Sequence, residues 1–397
     1  MAATLLTLGL GLALKAPCAA AGWEDGRQYR WLCYSDIVPL LSTEQLAGGR
    51  LPYLEPCREA QWPCDEYPVL TMYTMRLAAR GEPGFATFFA RNALLLAVAA
   101  LATAALLERV AGRRALLFAL SPTLLVYGFM NWDLLAVALA TAGTVAFLRR
   151  RDRAAGVLLG LGAGAKLYPA LLALPFALHR LREGDGRGLW RVVGWTAGAF
   201  VVLNAPFALA APAAWATVFR YNASRPPDYD SLWFVACRAC PWSVRTVNAL
   251  SLAAFAALAL LAWWCRWRRE PTFPAWTFGF PLLVAFLLAT KVYSPQYGLW
   301  LLPWFVVAFP NPWLFAAFQA ADAAVFVTRF QWFGRLLAQA GDPALAGFAG
   351  VPLWAFQAAL LARAAILLAC LWAWARSPGT PLPRVGDPSV VRAEAAA

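Results

Sequence analysis

Long apolar stretches separated by short polar joints dominate the chain. Several of them reach or approach the ~20 residues that a helix needs to cross the hydrocarbon core of a bilayer. The stretches are continuous rather than alternating, which favours helices over the strands of a membrane β-barrel. The pattern predicts an all-α polytopic membrane protein with about 10–12 membrane helices, some short or broken, with spans near 2–21, 85–107, 113–129, 132–148, 190–211, 246–267, 273–290, 296–310, 312–328 and 350–375.

The polar joints predict which side of the membrane each loop occupies. Arginines cluster at 109–114, 149–153, 179–191 and 266–269. Such clusters are typical of cytoplasmic loops, by the positive-inside rule. The remaining joints are then expected on the outer face: a first outer loop at 22–68, a second large one at 212–245, and shorter joints at 129–132, 293–296 and 329–350.

The stretch 154–179 lies between two arginine-rich joints, so the chain must enter and leave the membrane on the same side. A segment of this length is too short for two full crossings at 1.5 Å per residue. We expect two short helices that meet near Lys166-Leu167-Tyr168-Pro169, as in broken helices that line a water-filled cavity. The alternative, a single crossing, would invert the orientation of everything that follows.

The ends of the chain complete the predicted organisation. The first run, 2–21, has some features of a signal peptide, but its length and the lack of a basic start favour an uncleaved first span. We expect one integral membrane domain over 1–376. The tail 377–397 is rich in proline, glycine and charge and is predicted to be disordered and cytoplasmic.

Composition supports a membrane protein and argues against a nucleic-acid-binding protein. Hydrophobic residues make up 61% of the 397 residues and charged residues only 14%, against about 25% in a typical soluble domain. The net charge of +13 is concentrated in the short joints, and no basic helix, basic tail or RNA-binding signature is present. We therefore expect membrane lipids, and no nucleic acid, among the partners.

The cysteines indicate disulfides rather than a metal site. Cys57 with Cys64 and Cys237 with Cys240 are the local pairings in the two large outer loops, although connectivity cannot be read from sequence. A single histidine in the chain and no second Cys-x-x-Cys pair make a zinc site improbable. Cys18 lies in an apolar run and is expected to be an ordinary core residue.

All three lysines of the chain lie in apolar surroundings, where a cation costs about 3 kcal/mol or more. Lys166 and Lys291 share a pattern in which a tyrosine follows two residues later, at Tyr168 and Tyr293, and a proline comes next. We interpret them as ammonium groups that bind a phosphate at the membrane boundary. The alternative is that each side chain extends to the interface beside its tyrosine.

Carboxylates mark the outer ends of the predicted spans. Asp36 follows the first span and is a candidate catalytic base, and Glu66 in the same loop is a candidate substrate ligand. Asp133 binds substrate or caps the helix that follows it. Arg225 lies in the second outer loop beside two prolines and is expected in a lid. The twenty tryptophans fit an aromatic belt first, with Trp62, Trp233 and Trp242 also suited to stack on sugars.

These motifs together carry a resemblance to a known family. In order along the chain they are Tyr34-Ser35-Asp36-Ile37, Pro52-Tyr53, Glu66-Tyr67-Pro68, Asn131-Trp132-Asp133, Lys166-Leu167-Tyr168-Pro169 and Ser294-Pro295-Gln296-Tyr297, with Trp300 and Pro303. From about residue 30 to 305 the chain resembles glycosyltransferase family 87 of the GT-C superfamily. Within it, the chain looks like the actinobacterial α-mannosyltransferases that use polyprenyl-phosphate-mannose.

The resemblance implies a multi-pass enzyme of the bacterial plasma membrane with its active site on the outer, periplasmic face. It implies an acidic general base in the first outer loop, which Asp36 matches. It also implies a polyprenyl-phosphate-sugar donor and a lipid-linked glycan acceptor, with no metal and no cofactor. We expect the substrates to be bound by Glu66, Tyr67, Tyr53, Asn131, Asp133, Lys166, Tyr168, Lys291, Tyr293, Gln296 and Arg225.

The chemistry of such a transfer fits these residue types. A carboxylate takes the proton of the acceptor hydroxyl as the oxygen attacks the anomeric carbon. The phosphate leaves as a weak base and needs no acid, so one carboxylate suffices where a glycosidase uses two. Cations such as Lys166, Lys291 and Arg225 stabilise the charge that develops on the phosphate. A single displacement inverts the anomeric centre.

Three other functions remain open on sequence. A polyprenyl-phosphate-arabinose-dependent arabinofuranosyltransferase would use the same residues. A lipid or glycolipid transporter would be favoured by inverted repeats between the two halves of the chain, and none is found beyond the paired Lys-x-Tyr pattern. A non-catalytic partner of other envelope enzymes would keep its function in cells after Asp36→Ala.

Overall fold

The computed structural model of the protein describes residues 1–58, 64–237 and 241–376. In these ranges every regular element is a helix. Three predictions fall on residues outside these ranges: the disordered tail, the sugar-stacking role of Trp62, and the pairing of Cys237 with Cys240. The all-helical membrane fold predicted from the apolar pattern is therefore the fold of the described chain.

Residues of the first half form thirteen α-helices. They are α1 (Ala2–Ala20), α2 (Arg27–Arg30), α3 (Ile37–Thr43), α4 (Val69–Ala78), α5 (Phe85–Ala111), α6 (Leu116–Ala119), α7 (Pro122–Tyr127), α8 (Asp133–Leu148), α9 (Asp152–Ala165), α10 (Ala173–Arg182), α11 (Gly186–Ala210), α12 (Pro212–Trp215) and α13 (Thr217–Ser224). Short 3₁₀ helices cover Gly112–Ala115 and Tyr168–Leu172.

The second half adds α14 (Leu232–Ala236), α15 (Val244–Arg269), α16 (Gly279–Ala289), α17 (Leu302–Val307), α18 (Pro312–Gln339) and α19 (Leu353–Arg376). Its 3₁₀ helices cover Ala275–Phe278, Pro295–Leu301 and Pro343–Leu345. The predicted span 296–310 is thus a 3₁₀ helix followed by a short α-helix, and the predicted span 312–328 is part of a helix that continues to Gln339.

Within the described ranges, five helical segments are long and apolar enough to cross a membrane: Ala2–Ala20, Phe85–Ala119, Gly186–Ala210, Val244–Arg269 and Leu353–Arg376. The other predicted spans are shorter or broken, except for 312–328, which lies within the continuous 28-residue helix α18. The predicted span 113–129 breaks before Pro122, where Ser121 caps α7 by accepting a hydrogen bond from the Leu124 amide. Only 17% of the apolar stretch of α11, and the same share of that of α15, is buried inside the protein. These two helices therefore present most of their apolar surface outward, as lipid-facing helices do.

The segment 154–179 is the broken pair that the charge pattern predicts. Helix α9 ends at Ala165, a 3₁₀ turn follows at Tyr168–Leu172, and α10 runs back. The start of α9 and the end of α10 are joined by two ion pairs. Arg180 pairs with Asp152 at 2.6 Å, and Arg150 pairs with Glu183 at 2.6 Å. The chain therefore enters and leaves on one side, and Lys166 lies at the turn between the helices.

Candidate active site

A cavity of about 750 Å³ lies where the first polar loop, the break after α9, the 218–229 segment and the Thr290–Trp300 segment meet. It is lined by nine of the twelve predicted site residues: Asp36, Glu66, Tyr67, Asn131, Lys166, Tyr168, Arg225, Lys291 and Gln296. These residues are spread over 261 positions of the chain, from 36 to 296, so the broken helices and loops bring them to one place.

The backbone at Asp36 is held from two directions. The Asp36 amide donates to the Met130 carbonyl at 2.9 Å, and the Ser35 hydroxyl donates to the Phe129 carbonyl at 2.8 Å. Both acceptors belong to the break between α7 and α8. The Lys15 ammonium of α1 donates to the Tyr34 carbonyl at 2.5 Å, so the third lysine supports this loop rather than the cavity wall.

The Asp36 side chain has a defined partner. Asn131 donates from Nδ2 to Asp36 Oδ2 at 3.1 Å and to the Tyr67 hydroxyl at 2.8 Å. The Asn131 Oδ1 accepts from the Trp132 amide at 2.7 Å, which fixes the amide orientation. A carboxylate held in one orientation at the wall of a polar cavity is suited to accept a proton from a hydroxyl that binds within hydrogen-bond reach of it.

A disulfide joins α1 to the segment that carries Asp36. It links Cys18 to Cys33, so the prediction that Cys18 is an ordinary core residue is wrong. Cys18 is buried, as its apolar run predicts, but it lies near the end of α1, where the chain turns back and brings Cys33 beside it. The predicted Cys57–Cys64 disulfide is confirmed.

Removing the first disulfide is expected to destabilise the site. Cys33→Ser opens a loop with a sequence separation of 15 residues, for which a cross-link typically contributes about 3 kcal/mol. We expect a lower melting temperature and weaker activity for Cys33→Ser. Cys265→Ser, which removes a free thiol in α15, serves as the matched control. Equal melting temperatures for the two variants would contradict this role.

Glu66 lies among charged neighbours, the cations Arg225 and Lys166 and the acid Asp36. Burial raises the pKa of the Glu66 carboxyl, and the charge of Asp36 acts in the same direction, whereas Arg225, Lys166 and a hydrogen bond with Tyr221 lower it. No salt bridge of 4.0 Å or less joins Glu66 to a cation of the described residues. Glu66 therefore remains available to hydrogen-bond a substrate.

Glu44 holds the segment that carries Glu66. Its carboxylate accepts from the Asp65 amide at 2.6 Å and the Glu66 amide at 3.3 Å, while Arg50 pairs with Asp65 at 2.9 Å. Burial raises the pKa of Glu44 to about 8, and the charge of Glu66 adds to the effect.

The Glu44 carboxyl predicts a pH-dependent stability. The folded protein binds more protons than the unfolded chain between pH 4.5 and about 8, so stability falls as the pH rises through this window. We expect the melting temperature to fall by several degrees between pH 5 and 8.5. Glu44→Gln, which keeps an acceptor oxygen, should flatten that dependence. Glu82→Gln, on an exposed turn, is the control and should leave the wild-type slope.

Lys166 is held by an acid behind the cavity wall. Its ammonium lies 3.3 Å from Asp133 Oδ2, and Asp133 Oδ1 accepts from the Trp300 indole at 2.7 Å. Asp133 is fully buried and does not line the cavity, and its side chain does not cap α8. The structure thus places Asp133 behind Lys166 and away from the cavity, whereas the sequence predicts a contact between Asp133 and the substrate. Lys166 also lies over the rings of Tyr67 and Tyr297, at 5.0 and 5.3 Å.

Lys291 organises the loop that carries Arg225. Its ammonium donates to the carbonyls of Ala223 at 3.1 Å and Arg225 at 2.6 Å. Arg225 itself pairs with Asp228 at 3.3 Å. Among the described residues Lys291 has no carboxylate at salt-bridge distance, so its positive charge at the cavity wall is not neutralised by a direct partner.

Two predicted site residues pack elsewhere. The Tyr53 ring is buried and its hydroxyl donates to the Tyr67 carbonyl, so it supports the loop from behind. The Tyr293 ring is covered by the Arg363 guanidinium at 3.9 Å. Neither lines the cavity, because each is turned into the protein by these partners.

The tryptophans suggested for sugar stacking lie away from the cavity where they are described. Trp132, which follows the predicted site residue Asn131, is also buried, and its indole N–H donates to Asn92 at 2.7 Å. Trp233 donates to the Ala289 carbonyl, and its ring meets that of Trp242. By contrast, Trp300 lines the cavity, stacked between Tyr168 at 4.1 Å and Tyr297 at 3.9 Å.

Several cavity residues were missed on sequence. They are Tyr221, Tyr297 and Arg329, which line the wall. The predicted residue Gln296 also lines it, with a buried Oε1 that has no hydrogen-bond partner among the described residues. Arg329 was assigned to a loop because the predicted span stopped at 328. The continuation of α18 carries its side chain to the cavity instead. A search of the described residues finds no cluster of three or more metal-ligating side chains.

The chain resembles solved structures and matches one family model. It is similar to the structure of ArnT from Cupriavidus metallidurans in the apo state, with 16% identity and a TM-score of 0.43, and to the same protein bound to undecaprenyl phosphate, with 16% identity and a TM-score of 0.42. Each comparison covers 92% of this chain and 77% of the other. No curated protein matches the chain. The model of glycosyltransferase family 87 matches residues 67–295, more than half of the chain, and the chain therefore belongs to that family.

Proposed function

We propose that this membrane glycosyltransferase moves mannose from a polyprenyl-phosphate donor to a hydroxyl of an envelope glycolipid or glycan, with inversion at the anomeric carbon. The observation that carries the proposal is the Asp36 carboxylate, hydrogen-bonded by Asn131 at 3.1 Å, in a cavity whose wall also presents four cationic side chains, those of Lys166, Arg225, Lys291 and Arg329. In a family 87 chain this arrangement supplies a base and an anion site in one space.

The anion site suits the phosphate of the donor. Arg225 and Lys166 each have a carboxylate partner, whereas Lys291 has only backbone carbonyls. Lys291 therefore contributes the uncompensated positive charge that the phosphodiester of the donor, and then the leaving phosphate monoester, would neutralise. The unpartnered Gln296 oxygen and the Tyr297 ring lie in the same part of the wall and are suited to contact the donor sugar.

The proposed reaction balances with these groups. The acceptor oxygen forms a bond to the anomeric carbon while its proton passes to Asp36. The bond from that carbon to the phosphate oxygen breaks, and polyprenyl monophosphate leaves with both bonding electrons. The cations stabilise the charge that moves onto the phosphate, so the departing group needs no proton.

A polyprenyl-phosphate donor fits the architecture. The cavity is lined in part by Asn248 and Ser251 of α15, a helix long and apolar enough to cross a membrane and mostly facing outward, so a lipid-linked donor can reach the cavity from the bilayer. We place the cavity on the outer face of the bacterial plasma membrane, because the arginine-rich joints then lie in the cytoplasm.

The direct test is sugar transfer by the purified protein in lipid. Labelled polyprenyl-phosphate-mannose is offered with a panel of envelope glycolipids, and polyprenyl-phosphate-arabinose is tested in parallel. Transfer of mannose with inversion would support the proposal. Transfer of arabinose alone would change the donor sugar and keep the reaction. Movement of labelled lipid across proteoliposomes without any glycosidic product would overturn it in favour of a transporter.

A further inference from the structure

Ring contacts divide the aromatic residues of the cavity into two groups. One group, which we call the donor side, contains Tyr67, Tyr168, Tyr297 and Trp300 and surrounds Lys166. The other group, which we call the aromatic side, contains Tyr29, Tyr34, Phe330 and Phe333 together with Arg329. Among the described residues no ring contact joins the two groups.

The aromatic side is a continuous shelf. Tyr34 stacks on Phe330 with centroids 4.6 Å apart, and Tyr29 lies 6.2 Å from Tyr34. The Arg329 guanidinium covers Phe330 at 5.2 Å and Phe333 at 4.7 Å. Flat apolar faces edged by hydrogen-bond donors suit a sugar ring, which has apolar C–H faces and a rim of hydroxyls.

Asp36 lies between the two sides. It follows Tyr34 by two residues, and Asn131 connects its carboxylate to the Tyr67 hydroxyl of the donor side. Burial raises the pKa of the Tyr34 hydroxyl well above its usual value, with the charge of Asp36 and a hydrogen bond to it acting in the same direction and Arg329 in the opposite one. Tyr34, Asp36 and Arg329 are thus electrostatic neighbours.

The aromatic side carries no net charge. Arg329 Nε lies 2.5 Å from Asp230 Oδ2, and the Asp230 side chain is fully buried, so the pair is neutral as a unit. The Arg329 side chain remains 13% exposed, and its terminal nitrogens make no hydrogen bond to the described residues. These nitrogens are therefore free to donate to a ligand, but the site lacks the excess positive charge that would attract an anion.

We propose that the aromatic side is the acceptor subsite and that it binds an uncharged sugar ring. This inference rests on the proposed function, since it assigns the second substrate of that reaction. The ring lies on the shelf formed by Tyr34 and Phe333, with hydroxyls accepting hydrogen bonds from Arg329. One hydroxyl then faces Asp36, while the donor phosphate occupies the opposite side near Lys291.

Binding of model acceptors to the Asp36→Asn protein tests this assignment without turnover. The probes are octyl α-mannoside, below its critical micelle concentration, and its 6-phosphate. We expect the neutral glycoside to bind at least tenfold more tightly than the phosphorylated one. On the same background Arg329→Lys keeps the charge but removes the planar fork of donors. The double variant Arg329→Lys/Phe333→Leu should bind the neutral glycoside about tenfold more weakly, as the loss of one to two hydrogen bonds predicts.

Arg335→Lys is the matched control, because Arg335 is on the same helix and does not line the cavity. It should bind the neutral glycoside as the parent protein does. No binding of the neutral glycoside to the parent, tighter binding of the phosphorylated probe, or unchanged binding after Arg329→Lys would each overturn the assignment.

A second measurement separates this inference from the proposed function. Under this assignment polyprenyl phosphate binds the donor side only, so we expect Arg329→Lys to leave unchanged the shift in melting temperature that polyprenyl phosphate produces. If polyprenyl phosphate shifts the melting temperature of neither the parent protein nor its variants, the proposed donor is wrong. The acceptor assignment is then still decided by the glycoside-binding measurements. A shift that disappears in Arg329→Lys would instead place the donor on the aromatic side and overturn the inference.

Discussion

Asp36→Asn is expected to lower the rate of sugar transfer by about 10²–10⁴-fold, the usual contribution of a general base. Asparagine has nearly the same shape and can still accept the hydrogen bond that Asn131 donates at 3.1 Å. It has no basic oxygen to take the proton of the acceptor hydroxyl, so the loss should fall on kcat and leave binding of both substrates close to normal. Initial rates with the mannose donor measure the effect.

The control for this prediction is Glu66→Gln, the other unpaired carboxylate of the cavity. If Glu66 binds substrate and Asp36 is the base, Glu66→Gln should raise KM more than it lowers kcat. Melting temperatures establish that both variants fold. Transfer that survives in Asp36→Asn and is abolished in Glu66→Gln would move the base to Glu66 and contradict the assignment made here.

The charged residues beside the apolar runs predicted the candidate site and the reversal of the chain better than the apolar runs themselves did. A carboxylate or lysine at the end of a span is costly unless it has a role, and Asp36, Lys166 and Lys291 all line one cavity. The arginine-rich joints likewise predicted the reversal between α9 and α10. Such signals are local in sequence, because each depends on a charge beside an apolar run.

What sequence reasoning missed depends on packing between distant segments. Asp133 is separated from the cavity because Lys166 and Trp300 bind both of its oxygens. Arg329 reaches the wall because α18 continues beyond the apolar run that ended its prediction. Neither fact has a signature in the local pattern, since each depends on which helices are neighbours and how far a helix extends.

The last third of the chain supports the cavity from outside the region that the family model matches. Asp322 of α18, which has no visible partner in sequence, pairs with Arg363 of α19 at 3.2 Å and accepts from Thr123 at 2.9 Å. A methyl group on Gly298 would lie 2.5 Å from the Asp322 carboxylate. Asp322 therefore packs directly against the segment that carries Gln296.

Breaking this buried ion pair is expected to cost about 3–5 kcal/mol, since it leaves one charge buried without its partner. Arg363→Met should therefore lower the melting temperature strongly, as should Asp322→Asn. Both side chains are 2% exposed or less, so solvent cannot compensate for the lost partner. Arg376→Met is the control on the same helix, because Arg376 is exposed and stacks on Trp372. It should melt close to wild type.

The double variant Asp322→Asn/Arg363→Met distinguishes a charge effect from a loss of packing. If the unpaired charge causes the destabilisation, the double variant should be more stable than Arg363→Met, because removing both charges also removes the desolvation penalty. If the two losses simply add, the pair acts through packing. Arg363 also donates to the Asp230 carbonyl at 3.2 Å, next to the Arg329–Asp230 pair. A double variant that recovers stability but not sugar transfer would therefore show that Arg363 positions the cavity wall as well as neutralising Asp322.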